Sequence, residues 1–284
     1  FVTIGLVAAL IFGIIIYKRL RITREQKAII EEQKATVTHA YDQLEEKNKE
    51  ILDSITYAKR IQSAILPSQK TIKEALPESF ILYKPKDIVA GDFYWIEPTA
   101  SANGTKYLLF AAADCTGHGV PGAMVSVVCN NALNRSVREF GLTNPAAILD
   151  KTREIVISEF EKSDENVKDG MDISLCALSM ETKVLRWAGA NNPLWILRAD
   201  QGLVEEIKPN KQPIGKFADA TAFTEHAVEL KSGDTIYIFT DGFQDQFGGE
   251  KGKKFKASSL RELILEIHRQ PMEVQLQSLR DAFE

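Results

Sequence analysis

Three aspartates of this 284-residue chain stand where a carboxylate can bind a metal ion. Asp92 follows a glycine in AGDFYW, Asp114 ends the apolar run YLLFAAAD, and Asp241 lies between the apolar run YIFT and a glycine. Carboxylates at strand ends beside glycines can converge at one edge of a sheet, where their mutual repulsion requires a positive counter-charge. Magnesium and manganese prefer oxygen ligands of this kind. Any one of these aspartates alone is also compatible with a simple turn.

The other metal-binding residue types do not indicate a soft-metal site. The four histidines lack the HExxH spacing, and the three cysteines are far apart in apolar surroundings. An odd number of scattered cysteines argues against a disulfide framework and favours a reducing compartment. The net charge of -4 provides no basic excess, so we expect no nucleic-acid partner.

The segment 117–122, GHGVPG, fits the glycine pattern G-x-G-x-x-G of dinucleotide-binding proteins. It follows an apolar strand and opens a helix, as that motif requires. However, a second predicted helix begins near Pro145, where a Rossmann unit would have a parallel strand. Asp114 would also place a negative charge beside the pyrophosphate. The sequence therefore disfavours a dinucleotide-binding domain.

Short apolar runs separated by Gly, Pro, Asn and Asp fill residues 79–284 and predict one folded domain. Two predicted helices follow one another in the middle of this segment, and two more follow one another near its end. Helices grouped between runs of strands predict an α+β fold with antiparallel sheets. The predicted strands cover residues 80–83, 92–96, 107–113, 173–179, 184–188, 194–197 and 235–240.

The uncharged, apolar residues 1–17 predict a transmembrane helix. At about 1.5 Å per residue they span about 25 Å, slightly less than a hydrocarbon core of about 30 Å. Four basic residues follow between positions 18 and 24, which by the positive-inside rule places the rest of the chain in the cytoplasm. A signal peptide would need a basic start and a small-residue cleavage site, and this segment has neither.

Residues 18–66 predict a juxtamembrane helix with a coiled-coil seam, because an apolar row repeats every seven residues. If this row occupies the d positions of the heptad, the residues at the a positions are mostly polar. We infer a parallel homodimer as a hypothesis, since both helices would leave the same membrane face. A single amphipathic helix lying on the following domain is the open alternative for the last turns. Pro67 ends the helix, and residues 67–78 are interpreted as a linker. The row consists of Ile30, Val37, Leu44, Ile51, Ala58 and Ile65.

Six motifs in residues 79–284 together resemble the SpoIIE-type (RsbU-like) serine phosphatases of the metal-dependent protein phosphatase (PPM) family. In that family's order they are VAGDFYW, AADCTGHGVPGAMVS, MDISLCAL, RWAGANNPLWIL, KQPIGK and IYIFTDGFQDQ. The resemblance implies two packed antiparallel β-sheets flanked by helices, with a two-metal centre at one end of the sandwich.

The resemblance also implies roles for individual residues. Asp92, Asp114 and Asp241 match acidic metal ligands, with Asp114 bridging both ions, and Cys115 would contribute its backbone carbonyl oxygen. The implied cofactors are two divalent cations, manganese or magnesium. They would activate a water molecule for attack on a phosphoserine or phosphothreonine.

Two further residues are weaker site candidates. Asp172 stands before a strand at a motif position and could be a metal ligand. His118 could act as a general acid or base, or could simply tolerate the bend of the glycine turn. Asn191 and Asn192 are interpreted as turn formers that brace the site.

The resemblance predicts a serine/threonine phosphatase anchored in a bacterial cytoplasmic membrane, with its catalytic domain in the cytoplasm. The implied substrate is a phosphoprotein of the anti-sigma-factor-antagonist type. The family pattern closes with a further Asp on a last strand, whereas this chain ends at Glu284, and Asp281 lies on a predicted helix. Because the chain also begins with Phe rather than Met, we expect a longer natural protein. The alternative is a catalytically degenerate phosphatase fold that binds a partner without turnover.

Overall fold

The N-terminal part of the chain is one continuous α-helix. The computed structural model describes residues 2–162, 168–249 and 252–284, so Phe1 of the predicted span lies outside the described residues. Helix α1 (Val2–Ile65) has 64 residues and ends shortly before Pro67, which cannot donate a helical hydrogen bond. A window of 18 residues has a mean hydropathy of 1.9, and none of it is buried. Among the described residues, α1 is the helix whose length and composition would let it cross a membrane.

Residues Tyr57–Glu284 form a compact unit of their own. After the last turns of α1, its described helices and strands follow in this order: α2 (Gln69–Ala75), β1 (Phe93–Ala100), β2 (Lys106–Cys115), α3 (Gly119–Arg138), α4 (Pro145–Phe160), β3 (Met171–Ser179), β4 (Val184–Ala190), β5 (Leu194–Arg198), β6 (Leu203–Ile207), β7 (His226–Glu229), β8 (Thr235–Tyr237), β9 (Phe247–Gly248), β10 (Lys253–Lys254), α5 (Lys256–Ile267) and α6 (Met272–Phe283).

The larger sheet of the described chain has the strand order β1-β2-β3-β4-β7, and all neighbours are antiparallel. Its central strands β2 and β3 are mostly buried, which fits their apolar sequences KYLLFAAADC and MDISLCALS. Their register places Asp114 opposite Asp172 and Cys115 opposite Met171. The smaller sheet has the order β6-β5-β8, again antiparallel, and β9 pairs with β10.

Alternating side chains show how the layers stack, because successive residues of a strand point to opposite faces. In β4, Trp187 belongs to a core between the two sheets, whereas Ala188 belongs to a core shared with α3 and α4. In β5, Ile196 faces the core between the sheets, whereas Trp195 packs in a core shared with α5 and α6. The layers therefore run from α3 and α4 through the two sheets to α5 and α6.

The structure confirms the predicted α+β class with two antiparallel sheets flanked by helices. It corrects two local predictions. Residues 80–83 have an irregular backbone and do not form a strand. The side chains of Phe80 and Leu82 pack against the core of the smaller sheet. The segment 67–78 contains helix α2, which begins because the Ser68 hydroxyl accepts a 3.1 Å hydrogen bond from the Thr71 backbone N–H.

Candidate metal centre

Asp114 and Asp92 stand at the ends of two paired strands. Asp114 is the penultimate residue of β2, and Asp92 immediately precedes β1. Because β1 and β2 are antiparallel and Phe93 lies opposite Ala113, the start of β1 and the end of β2 meet at the same edge of the sheet. The apolar strands thus bring the carboxylates of two different motifs together.

Asp241 reaches this edge from the smaller sheet. It begins the turn 241–245 that follows β8, and its backbone oxygen accepts a 2.9 Å hydrogen bond from the Asp245 N–H. The preceding residue, Thr240, donates a 2.7 Å hydrogen bond from its hydroxyl to Oδ2 of Asp92. Tyr83 donates a 3.1 Å hydrogen bond to the backbone oxygen of Asp92. The Thr240 bond holds the Asp241 segment against the Asp92 segment, and the Tyr83 bond fixes the backbone at Asp92.

The carboxylates of Asp92 and Asp241 both lie near that of Asp114, and they affect its pKa. Burial, followed by the carboxylates of Asp92 and Asp241, raises the pKa of Asp114 from its ordinary 3.8 to about 9. A group of like charges has this effect, because each carboxylate disfavours the ionisation of the next. A bound divalent cation would remove this penalty.

The donor chemistry of this edge fits magnesium or manganese. The carboxylates of Asp92, Asp114 and Asp241 supply oxygen, and the backbone carbonyl of Cys115 lies close by. A Cβ atom on Gly91 would come within 2.9 Å of the Cys115 oxygen and 2.6 Å of the Gly117 oxygen, so only glycine allows this approach. Within the described residues, no group of three or more His, Cys, Asp and Glu side chains is already arranged to hold a metal ion.

The Cys115 thiol has no part in this donor set. The side chain is buried in the core under α3, and burial raises the pKa of the thiol, with a further contribution from neighbouring Cys129. The thiol is therefore protonated, as the sequence suggested for a small buried residue.

Asp172 lies beside the same cluster. Burial raises its pKa, a hydrogen bond from Asn191 opposes that rise, and the Asp241 carboxylate adds to it. The bond runs from Asn191 Nδ2 to Asp172 Oδ1 over 2.8 Å, and Asn191 has a positive φ of 56°. Asn191 thus combines a left-handed turn with a contact to a candidate site residue.

The carboxylate that His118 contacts, that of Asp87, is not one of the three motif aspartates. Its Nδ1 atom lies 2.9 Å from Oδ2 of Asp87, and both side chains are exposed. The glycine turn around it has a structural cause: Gly117 and Gly119 have φ values of 87° and 61°, and a Cβ on Gly122 would lie 2.5 Å from the Gly117 oxygen. The glycine pattern therefore serves a tight turn at the start of α3.

Three residues near the site were not predicted from the sequence. Asp87 pairs with His118, and Thr240 bonds Asp92. Gln62, near the end of α1, is buried; its Nε2 atom donates to the Ala90 oxygen at 2.5 Å and to Ser126 Oγ at 2.9 Å. Its Oε1 atom accepts from the Ala90 N–H at 3.1 Å. The sequence contained one signal for the role of Gln62, because a glutamine stands there inside the heptad seam.

Comparisons with known proteins agree with this fold. The family model of stage II sporulation protein E (SpoIIE) matches residues 104–284. The SiaA-PP2C domain of Pseudomonas aeruginosa is 34% identical, with a TM-score of 0.72 over 83% of this chain and 90% of that one. No curated protein sequence matches the chain significantly.

Two more distant structures share the fold. The RsbU and RsbW domains of Rv1364c from Mycobacterium tuberculosis are 21% identical, with a TM-score of 0.52 over 70% of this chain and 52% of that one. RsbX in complex with magnesium is 15% identical, with a TM-score of 0.50 over 72% of this chain and 85% of that one. The family match covers more than half of the chain, and the SiaA domain shares a third of its residues. The chain therefore belongs to the SpoIIE family of PP2C-type protein serine/threonine phosphatases.

Proposed function

We propose that this phosphatase uses two divalent cations, held by Asp92, Asp114 and Asp241 and by the Cys115 carbonyl, to hydrolyse phosphoserine or phosphothreonine on a signalling protein. The observation that carries this proposal is the meeting of three motifs at one place: Asp92 and Asp114 stand at the paired ends of β1 and β2, and the residue before Asp241 bonds the Asp92 carboxylate. When bound, the cations would lower the pKa of a water molecule and offset the charge of the phosphate oxygens.

The residues of the chain have separate tasks in this scheme. Asp114, between the other two carboxylates, is the proposed bridging ligand. Asp172 lies close enough to Asp241 for that carboxylate to raise its pKa, and it is a candidate further ligand. His118, oriented by Asp87, is the candidate proton donor or acceptor at the rim.

The metal proposed is magnesium or manganese, because the donors are oxygen atoms. The structure of RsbX with magnesium, which shares this fold, supports the choice. The proposed substrate is a phosphoprotein of the anti-sigma-factor-antagonist type. The joint occurrence of RsbU and RsbW domains in Rv1364c supports a protein partner of that signalling class.

The helix that precedes the domain is proposed to anchor and regulate the enzyme. Residues 1–17 would span the membrane, which places the phosphatase domain in the cytoplasm at the membrane surface, and residues 18–66 would form a parallel homodimer. Gln62 supports a regulatory role, because it links α1 to Ala90, two residues before Asp92. A change in the packing of α1 could therefore alter the position of a candidate ligand.

The decisive experiment is hydrolysis of p-nitrophenyl phosphate and of a phosphoserine peptide by the full chain in detergent, with manganese, magnesium or EDTA. We expect metal-dependent turnover that Asp114→Asn and Asp241→Asn reduce by at least about a hundredfold. Asp219→Asn is the matched control, because Asp219 is exposed. Turnover that persists in EDTA would contradict the metal mechanism. A folded, metal-binding protein without turnover would favour a partner-binding module.

A further inference from the structure

The end of helix α6 contacts two segments that each carry a candidate metal ligand. The Phe283 ring lies 5.5 Å from the Phe243 ring, measured between centroids. Lys84 Nζ lies 5.2 Å from the Phe283 centroid and donates a 2.9 Å hydrogen bond to Glu284 Oε1. One turn of helix thus touches both the segment before Asp92 and the turn after Asp241.

Phe243 is the contact to the turn of Asp241. It lies two residues after Asp241 and also packs edge-on against Phe255, with ring centroids 5.3 Å apart. The turn 241–245 lies outside the smaller sheet, because β8 ends at Tyr237. Backbone hydrogen bonds from Lys256 to the Gln244 oxygen and from Phe255 to the Gln246 oxygen hold its far end, and side-chain packing supports the end that carries Asp241.

Lys84 is the contact to the segment of Asp92. The adjacent residue, Tyr83, donates its hydroxyl to the Asp92 backbone oxygen, and this part of the chain is irregular. The Thr240 hydroxyl connects the Asp241 segment to the Asp92 segment by its bond to the Asp92 carboxylate. The two ligand segments are thus joined to each other on one side and to the end of α6 on the other.

The aromatic contact is the stronger of the two restraints at the end of α6. The Lys84–Glu284 pair is exposed on both sides, at 48% and 69% of the side-chain areas, so solvent and salt screen it. Phe283 is partly buried between Lys84 and Phe243 and places a rigid ring against both. Leu279, one turn earlier, is 5% exposed and belongs to the core of the smaller sheet.

We propose that Phe283 is a positioning residue of the metal centre: it holds Phe243, and through it the turn that begins with Asp241, beside the segment of Asp92. The inference rests on the proposed metal-dependent function. Leu279 already anchors α6 in the core, so the packing of the core does not require Phe283. The inference therefore gives the end of α6 a separate role.

The test compares Phe283→Ala with Phe283→Tyr and Leu279→Ala in the full chain, purified in detergent and stripped of metal. Manganese affinity is measured directly by electron paramagnetic resonance, the urea midpoint reports global stability, and hydrogen exchange reports the amides of residues 240–246. We expect Phe283→Ala to bind manganese about tenfold more weakly and to exchange faster in this turn. Phe283→Tyr should retain the affinity. Leu279→Ala should lower the urea midpoint while manganese affinity stays at the wild-type value.

Wild-type affinity in Phe283→Ala would overturn the inference and leave the proposed function standing. Equal weakening by Phe283→Ala and Leu279→Ala would also overturn it, because the effect would then belong to the core as a whole. A wild-type chain that binds no manganese would refute the metal centre itself, and the inference with it.

Discussion

The hydroxyl of Thr240 donates a 2.7 Å hydrogen bond to the carboxylate of Asp92, which is 148 residues away in the chain. This bond joins the segment leading into the larger sheet to the segment leaving the smaller one. It also uses one lone pair of a candidate ligand, so it orients the carboxylate and leaves its other oxygen, Oδ1, for a cation.

Thr240→Val removes this donor while keeping the side-chain shape. We expect manganese binding to weaken by about tenfold, because the Asp92 carboxylate loses the partner that orients it. The measurement is a manganese titration of p-nitrophenyl phosphate hydrolysis. Thr240→Ser keeps the hydroxyl and should behave as the wild type; equal losses in both variants would contradict the role assigned to the bond.

Gly91→Ala tests whether metal binding requires the close approach of the Asp92 segment to the end of β2. The new Cβ would lie 2.6 Å from the Gly117 oxygen and 2.9 Å from the Cys115 oxygen, so the backbone must shift. We expect a folded protein with at least about tenfold lower metal affinity. Gly248→Ala is the control, because a Cβ there meets nothing within 4 Å. Unchanged manganese affinity, measured by calorimetry, would show that the approach is dispensable.

The raised pKa of Asp114 predicts how the stability of the metal-free protein depends on pH. Between its ordinary value of 3.8 and about 9, the folded chain binds more protons at Asp114 than the unfolded chain does. The contribution of Asp114 to the free energy of unfolding therefore falls as the pH rises through this range, and saturating manganese should oppose the fall.

Asp114→Asn cannot ionise and should flatten this dependence. After allowing for solvent screening at a partly exposed site, we expect the variant to be about 1 kcal/mol more stable than the metal-free wild type near the upper end of the range. Urea denaturation across the pH range is the measurement, with Asp219→Asn as control. A stability difference between Asp114→Asn and the wild type that does not change with pH would contradict the convergence of the three carboxylates.

Gln62→Ala should destabilise the phosphatase unit by about 1–3 kcal/mol. It leaves the Ala90 N–H and carbonyl and the Ser126 hydroxyl without their buried partner. Urea denaturation measures the change, and Gln43→Ala, on the exposed part of the same helix, should have almost no effect. Equal stability of the two variants would show that the contacts contribute nothing.

Replacing Ile51 and Ile55 with Asp tests the proposed dimer. Charges in an apolar seam should dissociate the helices, and phosphatase activity should change with the oligomeric state. Light scattering and hydrolysis of a phosphoserine peptide are measured on the same samples. Lys49→Asp changes charge on the outer face and should leave the mass unchanged. Activity that is unaffected by a verified loss of the dimer would contradict the proposal that the helix regulates the phosphatase.

Local patterns in the sequence determined a large part of the architecture. Runs such as YLLFAAAD and IYIF have the length and composition of buried strands, and Pro145 begins a helix whose preceding residue, Asn144, caps it through a 2.9 Å bond to the Ala147 N–H. The same patterns failed at short, mixed segments: β6 (LVEEI) and β7 (HAVE) are edge strands with few buried side chains and little periodicity.

The sequence by itself determined the family, the α+β class and the three motif aspartates, because each motif is a short run of neighbouring residues. Only the tertiary structure decided which residues support those aspartates. Gln62 meets Ala90 across 28 positions, His118 meets Asp87 across 31, and Thr240 meets Asp92 across 148. A periodicity reports neighbours two to seven residues apart, whereas these contacts exist only because two sheets and their helices pack against one another.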